Sequence, residues 1–462
     1  MQEPLSSPAQ ACLYVARWAI PKGGATAAEF APPPVVRQIL EWMPKWFLLK
    51  LANFPHLLNV IAWILLPHLR AIEITDGNVN FSFAVTGRNG RSIFVKQARA
   101  FLKWVPSMAL ERERMEREVA YFEEIATVLE GDAKRFLPTI HDFDRESSVI
   151  IMDYLEDHRV LFEHLFEHGS IPYNAACGLA DFTAIVAART LAPRKPSNAA
   201  AAALAAGRAE KYWNPTLRAI QQEHVYSICF RESEIGRELA SDDELMDEVR
   251  CLKAKYLGYS FDEFDRWSVC HGDLHPGGVM LGVGGVKVID PEFTCFGPPG
   301  LDLGSLFSGF VLAYLYHQLG LGAKPPSRDG EPDPDLLEAL RLMWDRYENV
   351  LLEEGLDVAQ VTRIGEDACG YAMMEVLRTS LGFAGARDPQ RRIPNADALK
   401  RYQALAVALV CHVLKRRRSG GPSMMFEQLE MQGQAAEGWR TARAAELQRG
   451  TVPGKARKDK IS

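Results

Sequence analysis

The stretch HGDLHPGGVMLGVGGVKVIDPEF, residues 271–293, sets three carboxylates, Asp273, Asp290 and Glu292, around two apolar runs. Carboxylates in that pattern suit transfer of a phosphoryl group from ATP. The reaction asks little covalent chemistry of a protein: one carboxylate orients and deprotonates an acceptor hydroxyl, and others hold a cation against the β- and γ-phosphates. Asp273, in the loop after the short apolar run Trp267 to Cys270, takes the first role, and Asp290 with Glu292, at the end of VKVID, take the second. An i, i+2 pair in a regular strand shares one face, and Pro291 would fix the bend between them. A hairpin turning at Gly282-Val283-Gly284-Gly285 would bring Asp273 and Asp290 to the same end. His271 and His275 have no third ligand nearby in sequence, so His271 is assigned a structural role.

The chain supplies the other parts earlier. Asp76-Gly77-Asn78-Val79-Asn80 is a polar turn between two apolar alternating runs, and its backbone amides could cover ATP phosphates. Lys96 ends the run Ser92-Ile93-Phe94-Val95, whose apolar side chains would bury its stem and aim the ammonium at phosphate. Glu116, in the helix that follows, is the expected partner of Lys96, with Glu111, Glu113 and Glu118 also available. Met152, Asp153, Tyr154 and Leu155 follow an apolar strand and would form a hinge whose backbone meets adenine.

Stretch 71–98 alternates and is β-branched or aromatic, with turn signals at Asp76-Gly77 and Arg88-Asn89-Gly90, which predicts a three-stranded meander. Met115, Val119, Phe122, Ala126 and Leu129 recur at helical spacing and predict a helix over about 108–130. Two strands follow in 136–155, strands return in 267–293, and the rest is largely helical to about 415. This order predicts an α+β, bilobal, protein-kinase-like fold with a sheet-rich first lobe and a mainly helical second. The expected divisions are a leader and apolar helical extension (1–70), a first lobe with its hinge (71–155), a second lobe with catalytic loop and substrate site (156–415) and a mobile basic tail (416–462). The Ala-rich piece 199–206 is expected to be an exposed insertion.

The 462 residues carry a net charge of -6, which gives no reason to expect nucleic acid as a partner. Eight scattered cysteines without a CxxC fit reduced thiols in a cytoplasmic enzyme. Residues 51–69 are uncharged but broken by Pro55 and Pro67, so the segment 35–69 is expected to pack on the first lobe or lie on a membrane surface rather than cross a membrane.

The stretches DGNVNFSF, VKQA, IIMDYLEDHR, YWNP, HGDLHPGG and KVIDPEFTCFGPPGLDLGSLFSGFVLAYLYHQ together resemble the aminoglycoside phosphotransferase and choline kinase superfamily and, within it, the methylthioribose kinases, over about 71–415. The resemblance implies a kinase using ATP and Mg2+ to phosphorylate the 1-hydroxyl of 5-methylthioribose, a step of methionine salvage, or a similar hydroxyl compound. It implies Asp273 as base, Asp290 and Glu292 as magnesium ligands, Lys96 on phosphate, Asp302 as a buried anchor for the catalytic loop, and Arg378 and Trp213 at the substrate. It also implies a homodimer. Three departures stand out. Gly278 replaces a side chain five residues after the base, Thr379 stands where a second arginine would follow Arg378, and Gly385 replaces a histidine. Residues 35–69 and the basic tail are additions that the resemblance does not explain.

Overall fold

The computed structural model describes residues 5, 7–19, 29–32, 36, 66–75, 79–103, 105–192, 199–258, 267–322 and 333–450. The turn residues Asp76, Gly77 and Asn78, nearly all of the segment 35–65 and the last twelve residues lie outside this set. The fold is α+β, sheet-rich in its N-terminal part and mainly helical in its C-terminal part. It divides into two compact units, the first comprising 1–160, 185–220 and 260–299, the second 161–184, 221–259 and 300–462.

In the first unit the expected meander is present as β1 (Arg70–Ile74), β2 (Phe81–Thr86) and β3 (Ser92–Gln97), with a turn closed by Gly87 and Arg91 and a left-handed Gly90. Two short strands follow, β4 (Phe101–Leu102) and β5 (Val105–Ala109), and they pair with each other. The helix predicted from about 108 therefore starts later, as α1 (Arg114–Leu129), because Val105–Ala109 is taken up as a strand against Phe101–Leu102. With β6 (Ile140–Asp144) and β7 (Val149–Asp153), the sheet runs β1-β2-β3-β7-β6, antiparallel throughout.

Strand alternation gives this sheet two buried faces. Phe83, Val85, Ile93, Val95, Val149 and Ile151 form one core. Ile150 and Met152 face Met115 and Val119 of α1 on the other, with Phe94 beside them. Lys96, two residues after Phe94, therefore points to the α1 side. The first face is covered by a helix at Pro8–Ala19, whose Ala9, Ala11, Leu13, Val15, Ala16 and Ala19 are all buried with Phe30. Small alanines let this helix lie close to the strands. Leu5 N–H donates to Gln97 Oε1 at 2.7 Å and Tyr14 Oη–H to Asp144 Oδ2 at 2.8 Å. What composition marked as a leader is part of the core.

In the second unit the central element is the helix Gly300–Gln318, in which residues 300–315 are all buried, as a sequence apolar on every face apart from Asp302, Ser305 and Ser308 leads one to expect. A Cβ on Gly300 would come within 2.7 Å of the Ile364 carbonyl oxygen, and one on Gly304 within 2.5 Å of that of Ala368. Glycine there lets this helix meet the helix Val358–Ser380 backbone to backbone. The tail does not conform to the expectation of mobility. A helix runs from Ala396 to Gly450, broken only at Gly421 (φ 52°) before Pro422. Within it Arg417, Met425, Phe426 and Leu429 are buried, and Arg417 pairs with Glu248 at 2.7 Å and Asp367 at 2.9 Å. The basic run is thus held partly by carboxylates, and an apolar stripe beyond it continues the packing. The Ala-rich piece is helical (Ala199–Lys211) and mostly exposed.

Candidate functional site

The site in the first unit is built on a hairpin. The strands β8 (Arg159–Val160), β9 (Ser268–Cys270), β10 (Val279–Gly282) and β11 (Gly285–Val288) surround the 271–278 loop, with β10 and β11 paired from Val279↔Val288 to Gly282↔Gly285. Gly278 accepts from Ile289 N–H at 2.9 Å, so Asp273 and Asp290 lie at the same end of the hairpin, as expected. His271 is fully buried. Its Nε2 meets the Ile289 carbonyl at 2.8 Å and its ring stands edge-on to Tyr121 of α1 at 5.8 Å. It ties the loop to the outgoing strand. His275 Nδ1 accepts from Gly277 N–H at 2.8 Å, and its Nε2 is 3.6 Å from Asp273 Oδ2. Asp273 Oδ1 is buried with no hydrogen-bond partner among the described residues.

The i, i+2 strand geometry expected for Asp290 and Glu292 is not what forms. Asp290 adopts a left-handed backbone (φ 59°, ψ 48°), and Pro291–Phe293 make a single 3₁₀ turn. Lys96 nevertheless reaches Asp290 Oδ1 at 2.7 Å. Its other partner is Glu118, at 2.8 and 2.9 Å, not Glu116, which pairs with Arg145 on the surface. Helical spacing explains the difference. Glu118 lies on the stripe of Met115, Val119 and Phe122, whereas Glu116 is turned away from it. Burial works against the Lys96 ammonium, but Asp290, Glu118 and Glu292 outweigh it and raise its pKa. Burial also opposes the Asp290 charge, yet Lys96 holds that carboxyl below its ordinary range. Glu292 goes the other way: burial, with Glu118 and Asp290 as like charges, pushes it up to about 7 against the pull of Lys96 and Arg114.

Asn80 belongs to this cluster, but its side chain lies between Arg114 and Glu292, a role the phosphate-turn expectation did not anticipate. Asn214 of the YWNP stretch donates to the carbonyls of Glu292 at 2.9 Å and Thr294 at 3.4 Å. The neighbouring Tyr212, with Arg208 and Lys211, is anchored on Glu124. Trp213 is 59% exposed. At the hinge, Met152 is buried in β7, while the Asp153 carboxylate takes Thr139 N–H and the His141 ring, each at 2.9 Å, and Tyr154 and Leu155 lead into a turn closed by His158. Any hinge contact to a nucleotide would therefore fall to backbone, not to the Asp153 side chain.

The remaining expected residues lie in the second unit. Asp302 is buried in the first turn of the Gly300–Gln318 helix. Arg378 donates to Glu375 Oε2 at 3.0 Å, and Arg387 reaches the same oxygen at 3.4 Å. Gly385 has φ 59°, a left-handed backbone that disfavours the histidine of the resembling pattern. Thr379 is buried beside Arg378.

Residues 70–350 match the phosphotransferase enzyme family model, more than half of the chain. The chain belongs to that family. The phosphotransferase is 26% identical over 349 residues to the methylthioribose kinase of Klebsiella pneumoniae, covering 69% of this chain and 81% of that one. It is 28% identical over 372 residues to that of Exiguobacterium sibiricum, covering 75% and 88%. Among solved structures, a choline kinase from Cryptosporidium parvum matches at TM-score 0.43 and 13% identity over 76% of this chain and 92% of that one. Membership in that family makes this chain a phosphotransferase acting on a hydroxyl group.

Among the described residues no group of three or more His, Cys, Asp or Glu side chains is placed to hold a metal ion, and no helix is long and apolar enough to cross a membrane. Two carboxylates with one lysine still suit magnesium, which uses one or two carboxylates and fills its octahedron with water and substrate phosphates. A carboxylate pushed up to about 7 by burial and by two like-charged neighbours is one whose charge a divalent cation would restore.

Proposed function

We propose that this phosphotransferase moves the γ-phosphoryl group of ATP to the 1-hydroxyl of 5-methylthioribose or a closely similar sugar. The observation that carries the reading is the convergence of Lys96, Asp290, Glu292 and the Asp273 loop within one compact unit. Asp273, with one buried oxygen that has no hydrogen-bond partner among the described residues, would accept the acceptor's proton. Lys96 would hold phosphate, and its two carboxylate partners keep it charged and fixed. Asp290 and Glu292 would hold magnesium. Bound there, the ion would neutralise charge developing on the transferred group. Trp213 of the first unit remains a proposed substrate contact, with methionine salvage as the setting. The likeness to methylthioribose kinases supports the acceptor.

A second acceptor class is favoured by Thr379 and Gly385, since a polar pocket rejects ligands that leave its groups unpaired. Product identification separates the two. After incubation with ATP, magnesium and 5-methylthioribose, phosphorus NMR should show a sugar phosphate coupled to the anomeric proton. ADP formation only with an amino alcohol, and no such resonance, would replace the sugar reading with the second one.

A further inference from the structure

Glu292 is gripped from two sides by residues that the catalytic reading leaves unused. Arg114 opens α1 and is 1% exposed. It donates from Nη1 to the carbonyls of Arg99 at 2.8 Å and Glu111 at 2.6 Å, and from Nη2 to Asn80 Oδ1 at 2.9 Å. A guanidinium offers donors only, so Asn80 must turn its oxygen toward Arg114 and its amide nitrogen away. That nitrogen donates to Glu292 Oε2 at 2.8 Å. On the far side Asn214 fixes the Glu292 carbonyl. Glu292 is thus set at its backbone and at one carboxylate oxygen, while Oε1 has no hydrogen-bond partner among the described residues.

We propose that Arg114 and Asn80 are positioning residues for the cation-binding carboxylate: they occupy Glu292 Oε2 and reserve Oε1 for the metal. The proposal rests on the reading of Glu292 as a magnesium ligand. Its logic is directional. Arg114 sets the amide, the amide sets the carboxylate, and the carboxylate meets the ion. Groups that orient a metal's carboxylate ligands typically change metal affinity by about 10–100-fold when removed.

The experiment uses the full chain with a non-hydrolysable ATP analogue and measures Mn2+ affinity by electron paramagnetic resonance, alongside the Mg2+ concentration for half-maximal turnover. Asn80→Ala and Arg114→Gln should each weaken Mn2+ binding by about tenfold. The double variant should be no weaker than the worse single one. A merely structural role would lower the unfolding midpoint without moving cation affinity. Unchanged Mn2+ affinity in a folded Asn80→Ala variant overturns the proposal, as do fully multiplicative effects in the double variant. Should Arg114→Gln not fold, Asn80→Ala and Asn80→Ser decide alone. Glu292→Ala separates the two layers: if it leaves cation affinity intact, the metal reading fails; if it weakens affinity while Asn80→Ala does not, only the positioning fails.

Discussion

Replacing Lys96 by Met should destabilise the protein chiefly through Glu118. Both groups are almost fully buried, with side-chain exposures of 4% and 1%, and Glu118 takes both of its hydrogen bonds with Lys96 from that one ammonium. Removing one partner of a buried pair leaves an uncompensated charge and costs about 3–5 kcal/mol. Asp290 also loses its partner, but half of its side-chain surface reaches water, which offsets part of that loss. Against a total stability of about 5–15 kcal/mol, the drop would be plain in urea unfolding followed by circular dichroism. Adding Glu118→Leu should then recover most of it, because replacing both charges by apolar groups of similar size is often neutral. The coupling between the sites should therefore be about 3 kcal/mol or more. Activity should not return, since the ammonium meant for phosphate is still gone. A double variant no more stable than Lys96→Met would refute the account of this pair.

Asp273→Asn should lower kcat by about 100-fold or more and leave ATP affinity within a few-fold, measured by steady-state kinetics and calorimetry; near-normal turnover would remove Asp273 as the base. Gly278→Ser should fold normally, because a Cβ there makes only ordinary contacts, 3.4 Å to the Ile289 carbonyl oxygen and 3.7 Å to Asp273 and His271. Cation affinity should be equal or better, and a lowered melting temperature would count against this. Burial works against the Asp153 charge, but the His141 ring and Thr139 N–H hold the carboxyl well below its usual range. Its stabilising contribution is therefore present above a pH of about 4 and fades as acid protonates it. With a third of the side chain exposed, Asp153→Ala should cost only about 1 kcal/mol at neutral pH, and the gap to wild type should narrow in urea melts below about pH 4. A gap that widened in acid would be inconsistent with a depressed carboxyl.

The meander, the strand Val149–Asp153 and the hairpin Val279–Val288 were legible because period-two alternation and the Gly282–Gly285 turn are local signals. So was the meeting of Asp273 and Asp290 at one hairpin end. The identity of the lysine's partner was also encoded, since only Glu118 among the nearby acids shares the apolar stripe of α1, but spacing had to be weighed against charge to see it. The left-handed Asp290 and the Asn80–Arg114 contact were not legible, for they depend on residues 34 to 212 positions apart meeting in the folded chain. The Pro8–Ala19 helix looked like a leader because alanines carry little hydrophobic signal. Their small size is what lets the helix pack. The tail misled in the opposite way. Its arginines read as a solvated run, whereas the buried Arg417 pairs with two half-buried carboxylates, Glu248 and Asp367.

The central claim, a kinase for a methylthioribose-like sugar hydroxyl, is tested most directly by ADP release from purified protein with ATP and magnesium, offering 5-methylthioribose, ribose, choline and an aminoglycoside in parallel. The account predicts kcat/KM highest for 5-methylthioribose, by about tenfold or more over the others, and lost in Asp273→Asn. Turnover of choline or the aminoglycoside, with neither sugar accepted, would contradict it.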